Sequence, residues 1–593
     1  MFHGHLERVR LCMSMPLHGD DEHMHTTQYD VPRRWCVAFI VHASSHSEEA
    51  VTDTPSAALG QNPDEPWDVV VIGAGVTGMF QLLVLRRAGM NVRVLEAGGG
   101  VGGTWYWNRY PGARLDSESY SYQYLFDDEF LQSASWKERF AAQPDLERYF
   151  NDFADHFDLR RDIAFDTRVE SMVFDEDTRT WGVHTDRGSV LHARWVVTAT
   201  GILSAPIHPD IPGRDRFRGE VHHTGLWPQE GVDFTGKRVA VIGTGASGIQ
   251  LIPVIAESAE RLTVFQRTPN WAVPLRNEPL SDEDMAAVRS QYPDIIERTR
   301  TTFGGFLHDH PDASYHEDDE EQRLANFEVW YAGPGFSKWF GIYREIMMDA
   351  DANKAFSDFV AAKIRSRVHD PAVADLLIPS DHGFGLRRVP CETNYYETYN
   401  RDDVELVSVK QSPIVEFTET GLRTADAEYD VDIVITATGF DAFTGALSRI
   451  DIRGVGGISL RDEWSKGPRT YLGLQVAGFP NLLINGGPHG KSGIGNGPRC
   501  SEPVVWWLGR LLAYMRDNGL TRIEPDEGAE KEWTAAVNAS VEGSLASSVS
   551  FYDKGDNVPG KAHAYVAYAG PLPDFVRRLE DLEGSGYPGF VLS

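Results

Sequence analysis

One hydrophobic pattern occurs twice along the chain. Trp67-Asp-Val-Val-Val-Ile72 is apolar at nearly every position, as expected of a parallel strand buried on both faces, and it runs into Gly73-Ala-Gly-Val-Thr-Gly78. An amphipathic helix to about Gly89 and a strand over Asn91-Val-Arg-Val-Leu95, ending in Glu96, complete the unit. The succession returns at Lys237–Ile242, Gly243-Thr-Gly-Ala-Ser-Gly248, a helix through about Glu260 and the strand Leu262–Phe265. In such a unit the first glycine makes the tight turn, the second lets backbone approach a pyrophosphate, and the third lets helix and strand pack closely. Gly73, Gly75 and Gly78 therefore mark one dinucleotide site. Gly243, Gly245 and Gly248, with Ser247 and Gln250 on the following helix, mark another.

The pattern changes between Pro269 and about Phe384, where long polar and amphipathic stretches predict a helical insertion. Ser281 ahead of Asp282-Glu-Asp-Met-Ala-Ala-Val-Arg289 reads as a helix N-cap, and the acidic run Glu317–Gln322 as a solvated helix face or loop. Val404–Val407 and Ile433–Thr436 are strand-like. A small-residue Ala-Thr-Gly turn ends the second at Ala437–Gly439, and a matching turn stands at Ala199–Gly201 ahead of the second nucleotide unit; in proteins with two dinucleotide sites such turns mark crossings between the units. The fold class expected is α/β, with two Rossmann-like dinucleotide-binding domains and a helical insertion. Residues 1–65 show no sustained period, carry scattered histidines without metal-ligand spacing, and read as a flexible N-terminal extension.

At 593 residues the chain is long enough for several cores. With 56 basic against 87 acidic residues and a formal charge of -31, nucleic acid and anionic membranes are excluded as main partners. Cys12, Cys36, Cys391 and Cys500 form no C-x-x-C pair, so neither a disulfide framework nor a metal site is expected, and the compartment implied is the cytoplasm. The absence of a redox pair also excludes a disulfide reductase. The apolar run Trp35–Val41 is too short to span a bilayer.

The two nucleotide units differ where it matters chemically. Glu96 and Gln266 stand equally far from the first glycines of their loops, so an acid in the first unit is replaced by an amide in the second. A carboxylate at that strand end accepts from a ribose 2′-hydroxyl and repels a 2′-phosphate; a neutral side chain followed by Arg267 and Thr268 accommodates one. The first site is thus expected to take FAD and the second NADPH.

Just ahead of the second loop lies Phe217-Arg-Gly-Glu-Val-His-His-Thr-Gly-Leu-Trp-Pro228. Through Phe217, Gly219, His223, Thr224, Trp227 and Pro228 it resembles the fingerprint of the Baeyer–Villiger monooxygenases. Gly102-Gly-Thr-Trp-Tyr-Trp-Asn-Arg-Tyr-Pro-Gly-Ala-Arg-Leu-Asp116 resembles that family's second signature through Gly102, Gly103, Trp105, Tyr110, Pro111, Gly112 and Asp116. Ala437–Asp441, Gly467–Gly473 and Asn557–Lys561 extend the likeness over roughly residues 66–593.

The resemblance implies that NADPH reduces FAD, that oxygen adds to form a flavin peroxide, and that the peroxide attacks a ketone to give an ester or lactone. It implies Arg388 as the catalytic cation and Asp116 as the carboxylate that positions it. Gly103, Trp105 and Tyr110 would lie along the flavin. Arg387 stands where relatives carry a lysine for the 2′-phosphate, and Tyr552 where many carry a tryptophan at the nicotinamide end. His223 is expected in a domain hinge rather than in proton transfer.

The expected division is 66–202 and 436–593 for the FAD domain and substrate-pocket loops, 203–268 and 386–435 for the NADP domain, and 269–385 for the insertion. Glycines in Gly486–Pro498 suggest room for bulky ketones, with some sulfoxidation besides. The partners implied are a ketone and molecular oxygen, with no nucleic acid or membrane, for a monomer or weak oligomer. The competing readings are an N- or S-oxygenating flavin monooxygenase and a non-catalytic NADP-binding flavoprotein.

Overall fold

Val69, Val70, Val71 and Ile72 are buried on both faces of a sheet and flanked on both sides by parallel strands. Trp67–Ile72 pairs with Val92–Leu95 in the register Val69↔Val92 and with Val190–Thr198 in the register Val71↔Val197. The computed structural model describes residues 65–493, 495–549, 555 and 557–593. The expected N-terminal extension, apart from its last residue, and Tyr552 lie outside the described residues. Among those residues the first sheet has eight strands. Ile163–Ala164 extends it beyond Val92–Leu95, and an antiparallel meander of Val169–Asp175 and Thr180–Thr185 leads into Val190–Thr198. Leu482–Ile484 returns late in the chain to pair with the end of Val190–Thr198, in the register Leu482↔Val196.

The second sheet is parallel throughout, in the order Val404–Ser408, Arg261–Gln266, Arg238–Ile242, Ile433–Thr436 and Glu220–His223. Its edge strand, Glu220–His223, is the middle of the fingerprint segment. Between Val404–Ser408 and Ile433–Thr436 the crossover is a small antiparallel sheet of Ile414–Phe417, Gly421–Thr424 and Glu428–Asp430 instead of a helix.

The insertion is helical, as its periodicity predicts. Ser281 caps Asp282–Ser290 through a reciprocal capping box with Asp284. The acidic run becomes the solvated start of Glu320–Ala332, with Asp319 as N-cap. Phe327, Phe356 and Phe384 interlock edge-to-face beneath the Ala350–Arg367 helix. A short parallel pair of Val273–Pro274 with Cys391–Glu392 draws the two ends of the insertion together. Among the described residues no helix is long and apolar enough to cross a membrane.

Near the C-terminus the Gly497–Asp517 helix packs across Val76–Arg87, with Val505, Leu508, Leu511 and Leu512 on its buried face. This burial locks the late part of the chain onto the first nucleotide unit. Leu508→Ala, at a side chain 0% exposed, is expected to cost about 2–5 kcal/mol through lost transfer energy and the cavity left behind. Val329→Ala, at a residue 68% exposed, should change stability by less than about 0.5 kcal/mol. Thermal and urea unfolding of both variants check this contrast.

Candidate active site

Both glycine loops are built the same way. Gly73 and Gly243 have φ of 102° and 111°, and a Cβ on either would stand 2.7 Å from the Ala199 carbonyl oxygen or 2.5 Å from that of Ala437. Each loop therefore lies against the Ala-Thr-Gly turn of its own sheet, which gives those turns a steric reason. The second glycines differ. A Cβ on Gly75 would touch the Gly103 Cα at 3.4 Å, whereas one on Gly245 would meet nothing within 4 Å. The first loop is covered by the Gly102–Asp116 segment and the second is open.

The strand-end residues also diverge. Glu96 is buried, and its carboxylate oxygens accept from the backbone N–H groups of Ala74 and Gly98, each at 2.7 Å. Burial pushes its pKa up, and these bonds oppose that rise. Each oxygen keeps a second lone pair for a sugar hydroxyl. Gln266 is buried too, but its amide serves the protein: Oε1 accepts from the Thr244 hydroxyl at 3.3 Å and Nε2 donates to the Leu376 carbonyl at 2.7 Å. What it offers a 2′-phosphate is the absence of negative charge. Arg267 beside it is exposed, and the Thr268 carbonyl accepts from Thr244 at 3.3 Å. Half-buried Arg387 reaches Asp381 at 3.4 Å.

Arg388 follows directly and is anchored from the opposite side of the insertion. Asn270 donates to its carbonyl at 3.0 Å, just ahead of the Val273–Cys391 pairing. Its guanidinium Nη2 lies 2.8 Å from Asp116 Oδ2. The Asp116 side chain is 1% exposed and that of Arg388 is 51% exposed, so the carboxylate is sealed while the cation is half open to its surroundings. Burial pushes the Asp116 carboxyl up, and Arg388 opposes that rise. Burial alone would lower the guanidinium's pKa, but Asp116 outweighs it and holds Arg388 above its ordinary value. The pair thus fixes a permanent, half-exposed cation.

Around this pair stand groups from both nucleotide units. The Tyr110 hydroxyl donates to Gln250 Oε1 at 2.9 Å and is also reached by Ser247, while Gln250 Nε2 donates to the Arg114 carbonyl at 3.1 Å. Burial pushes Tyr110 up to about 12, so it stays protonated. Ser247 and Gln250 thereby join the second glycine loop's helix to the segment that carries Asp116. Trp105 is held through its indole N–H, which donates to the Tyr122 hydroxyl at 3.3 Å, and through its carbonyl, which accepts from Gln143 at 2.6 Å. Tyr122 escapes the sequence reading. So does Phe336 of the insertion, whose ring centroid lies 5.9 Å from the Arg388 guanidinium.

The Gly486–Pro498 loop provides less space than its composition suggests. Added Cβ atoms at Gly487, Gly493 and Gly495 would collide with Ile484, Phe443 and Cys500, so these glycines serve close packing. Space remains at Gly486, and at Gly497 a Cβ would stand an ordinary 3.7 Å from the Tyr122 hydroxyl. Among the described residues no group of three or more His, Cys, Asp or Glu is placed to hold a metal ion.

The fingerprint residues gather elsewhere, along the crossings between the sheets. Ile207 N–H donates to the Gly439 carbonyl at 2.9 Å and Asp441 N–H to that of Ala205 at 2.8 Å, so the two crossings pair into one strap. Lys561 bonds Asp441, and Asn557 donates to the Phe440 carbonyl at 2.5 Å, which secures the strap to the C-terminal region. His223 lies against it, with Phe440 at 5.8 Å and His208 at 5.2 Å between ring centroids. Its Nδ1 accepts from the Gly225 N–H at 2.9 Å. Thr224 is buried beside it. Phe217 packs on Phe417, and a Cβ on Gly219 would strike the Asp432 carbonyl. The Trp227 N–H donates to the Trp107 carbonyl at 3.3 Å, and the carbonyl of Pro228 closes a turn with Gly231 at 3.1 Å.

Residues 70–354 match the pyridine nucleotide-disulphide oxidoreductase family. Described Cys391 and Cys500 are free and buried, so that likeness rests on the nucleotide architecture and not on a redox disulfide. The chain is 46% identical over 535 residues to 2-oxo-Delta(3)-4,5,5-trimethylcyclopentenylacetyl-CoA monooxygenase of Pseudomonas putida, covering 89% of this chain and 98% of that protein. It is 39% identical to a Baeyer–Villiger monooxygenase of Pseudooceanicola batsensis, over 88% of this chain and 96% of the other. The crystal structure of OTEMO in complex with FAD and NADP superposes with a TM-score of 0.86 at 46% identity, over 89% of this chain and 99% of that one. The chain belongs to the Baeyer–Villiger monooxygenases.

In this Baeyer–Villiger monooxygenase His223 is not among the groups around Arg388. Burial lowers its pKa from 6.5 to about 4, so the imidazole is neutral at neutral pH. A depressed folded pKa means that its contribution to stability is full above about pH 6.5 and is lost as pH falls through about 4. His223→Gln should therefore flatten part of the acid-side loss of stability, on the order of 3 kcal/mol for a shift of this size. It should leave the activity profile between neutral and mildly alkaline pH unchanged in shape. Urea unfolding across pH together with pH–rate profiles tests this; loss of a kinetic ionisation in the variant would instead make His223 a proton-transfer group.

Proposed function

We propose that this enzyme uses NADPH and molecular oxygen to convert ketones into esters or lactones, with FAD at the first glycine loop and NADPH at the second. The observation that carries the reading is the Asp116–Arg388 pair, a sealed carboxylate holding a half-exposed permanent cation, with Tyr110 and Gln250 from the two nucleotide units bonded to each other beside it. Bound FAD, reduced by NADPH, supplies the activated oxygen for the reaction.

The residues fit these groups. The covered first loop, with Glu96 and its free lone pairs, suits an adenosine that is retained; the open second loop, with neutral Gln266 and exposed Arg267, suits one that exchanges. Trp105 and Tyr110 would flank the retained cofactor, and Arg387 and Thr268 would border the 2′-phosphate. Arg388 has five N–H donors, so those not used by Asp116 serve an anionic oxygen or the ketone carbonyl. Ser247, Gln250 and Tyr110 tie the position of Asp116 to the NADP unit, while Phe217, Gly219, His223, Thr224, Trp227 and Pro228 brace the strap on which the units move.

The strand membership of the two sheets supports the division into FAD segments 66–202 and 436–593, NADP segments 203–268 and 386–435, and insertion 269–385. The free thiols accord with a cytoplasmic enzyme, and a monomer or weak oligomer suffices for a site contained in one chain. Acceptance of larger ketones rests on the space at Gly486 and Gly497.

Incubation with NADPH and a panel of linear, cyclic, aromatic and steroid ketones, alongside sulfide and amine probes, should yield esters or lactones with at most minor sulfoxide. Sulfoxides or N-oxides alone would overturn the reading. Arg267→Ala should raise KM for NADPH about ten- to hundredfold, as expected for one lost charged hydrogen bond, and leave KM for NADH nearly unchanged. Steady-state kinetics with both cofactors measures the difference.

A further inference from the structure

We propose that Lys338 is a positioning residue for the Asp116–Arg388 pair, holding the Gly333–Phe336 turn of the insertion against both partners. The proposal rests on the catalytic reading of Arg388 given above. Lys338 lies on the short Ser337–Phe340 helix, 0% exposed, and its ammonium donates to the Gly333 carbonyl. That bond closes the turn on itself. Ser337 reinforces it with a hydroxyl bond to the Pro334 carbonyl at 2.6 Å, and the Gly335 N–H ties it to the Leu275 carbonyl at 3.0 Å.

The closed turn presses on the catalytic pair at two points. Gly335 has a φ of 46°, and a Cβ there would stand 2.7 Å from the Asp116 carbonyl oxygen and 2.5 Å from the Phe140 ring, so the turn backbone lies directly on Asp116. The next residue, Phe336, sets its ring against the Arg388 guanidinium. Contact with Asp116 and contact with Arg388 thus come from adjacent residues of one turn, and Lys338 is the side chain that fastens it.

The charge has a setting of its own. Around the ammonium lie the Cys391 thiol, Arg276, and the carboxylates of Glu392 and Glu118. Glu392 is engaged by Arg367 at 2.8 Å and Glu118 by His308 at 2.7 Å. Burial pulls the Lys338 pKa down to about 8, the mark of an ammonium kept out of water. An unbranched apolar side chain would fill the same space without that desolvation cost, so the ammonium's contribution is the bond to Gly333.

Lys338→Met tests this, since the variant retains the stem and removes the bond. It is expected to fold with undiminished FAD content and a melting temperature equal to or above the wild type. Ester formation should fall about ten- to hundredfold in kcat, the effect of displacing a catalytic group by a fraction of an ångström to an ångström, while KM for ketone and NADPH stays within about twofold. Lys338→Arg should recover most of the lost kcat, and Phe336→Leu should reproduce the loss. A folded K338M enzyme with wild-type kcat, or one altered only in KM or melting temperature, would overturn the proposal. Should K338M not fold, wild-type kcat in F336L overturns it equally. R388M separates the two levels: ester formation by R388M overturns the reading of Arg388, whereas an inactive R388M beside a fully active K338M overturns the role of Lys338 alone.

Discussion

A sealed carboxylate bound to a half-open guanidinium is the constraint on which the rest of this molecule depends. Asp116 and Arg388 are 272 residues apart, and their contact requires three long-range arrangements at once. The Gly102–Asp116 segment must lie over the first glycine loop, the insertion must close through the Val273–Cys391 pairing, and the Gly333–Phe336 turn must rest on both partners. A buried carboxylate without its counter-ion would destabilise the fold by about 3–5 kcal/mol, so the pair also reports whether assembly is correct. The same carboxylate that fixes the cation therefore ties the proposed site to folding.

The two nucleotide units share one mechanical plan with one difference. Each first glycine turns beneath the Ala-Thr-Gly crossing of its own sheet, and the two crossings pair with each other, so the two units are joined through a common strap. Over the first loop Gly103 closes against Gly75, while Gly245 stays open. A retained redox cofactor beside an exchangeable reductant is the chemistry that such asymmetry suits.

The repeated strand, glycine loop and helix were readable from the sequence because burial on both faces and close backbone approach leave a periodic and compositional trace. The exchange of Glu96 for Gln266 was equally readable, as equivalent positions in the two units. Other features left no such trace. Glu220–His223 is polar enough to pass for a connection because it is an edge strand, with a single neighbour in the sheet. The glycines of Gly486–Pro498 suggested space, yet three are filled by Ile484, Phe443 and Cys500, partners whose proximity is purely tertiary. That Gln266 spends its amide on Thr244 and Leu376 left no trace either; only its neutrality was legible. Lys338, Phe336 and Tyr122 carry no motif at all. Their roles arise from where the insertion and the Ser119–Tyr122 helix come to rest.

The central claim is that Asp116 and Arg388 act as one unit. Its most direct test is a double-mutant cycle on ester formation, comparing kcat/KM for the wild type, D116N, R388K and the double variant under identical NADPH and oxygen. Coupled action predicts that the second substitution adds little to the first, with an interaction free energy of about 1.5 kcal/mol or more. Additive losses within about 0.5 kcal/mol would contradict the account, because they would mean that the carboxylate and the cation influence the reaction independently.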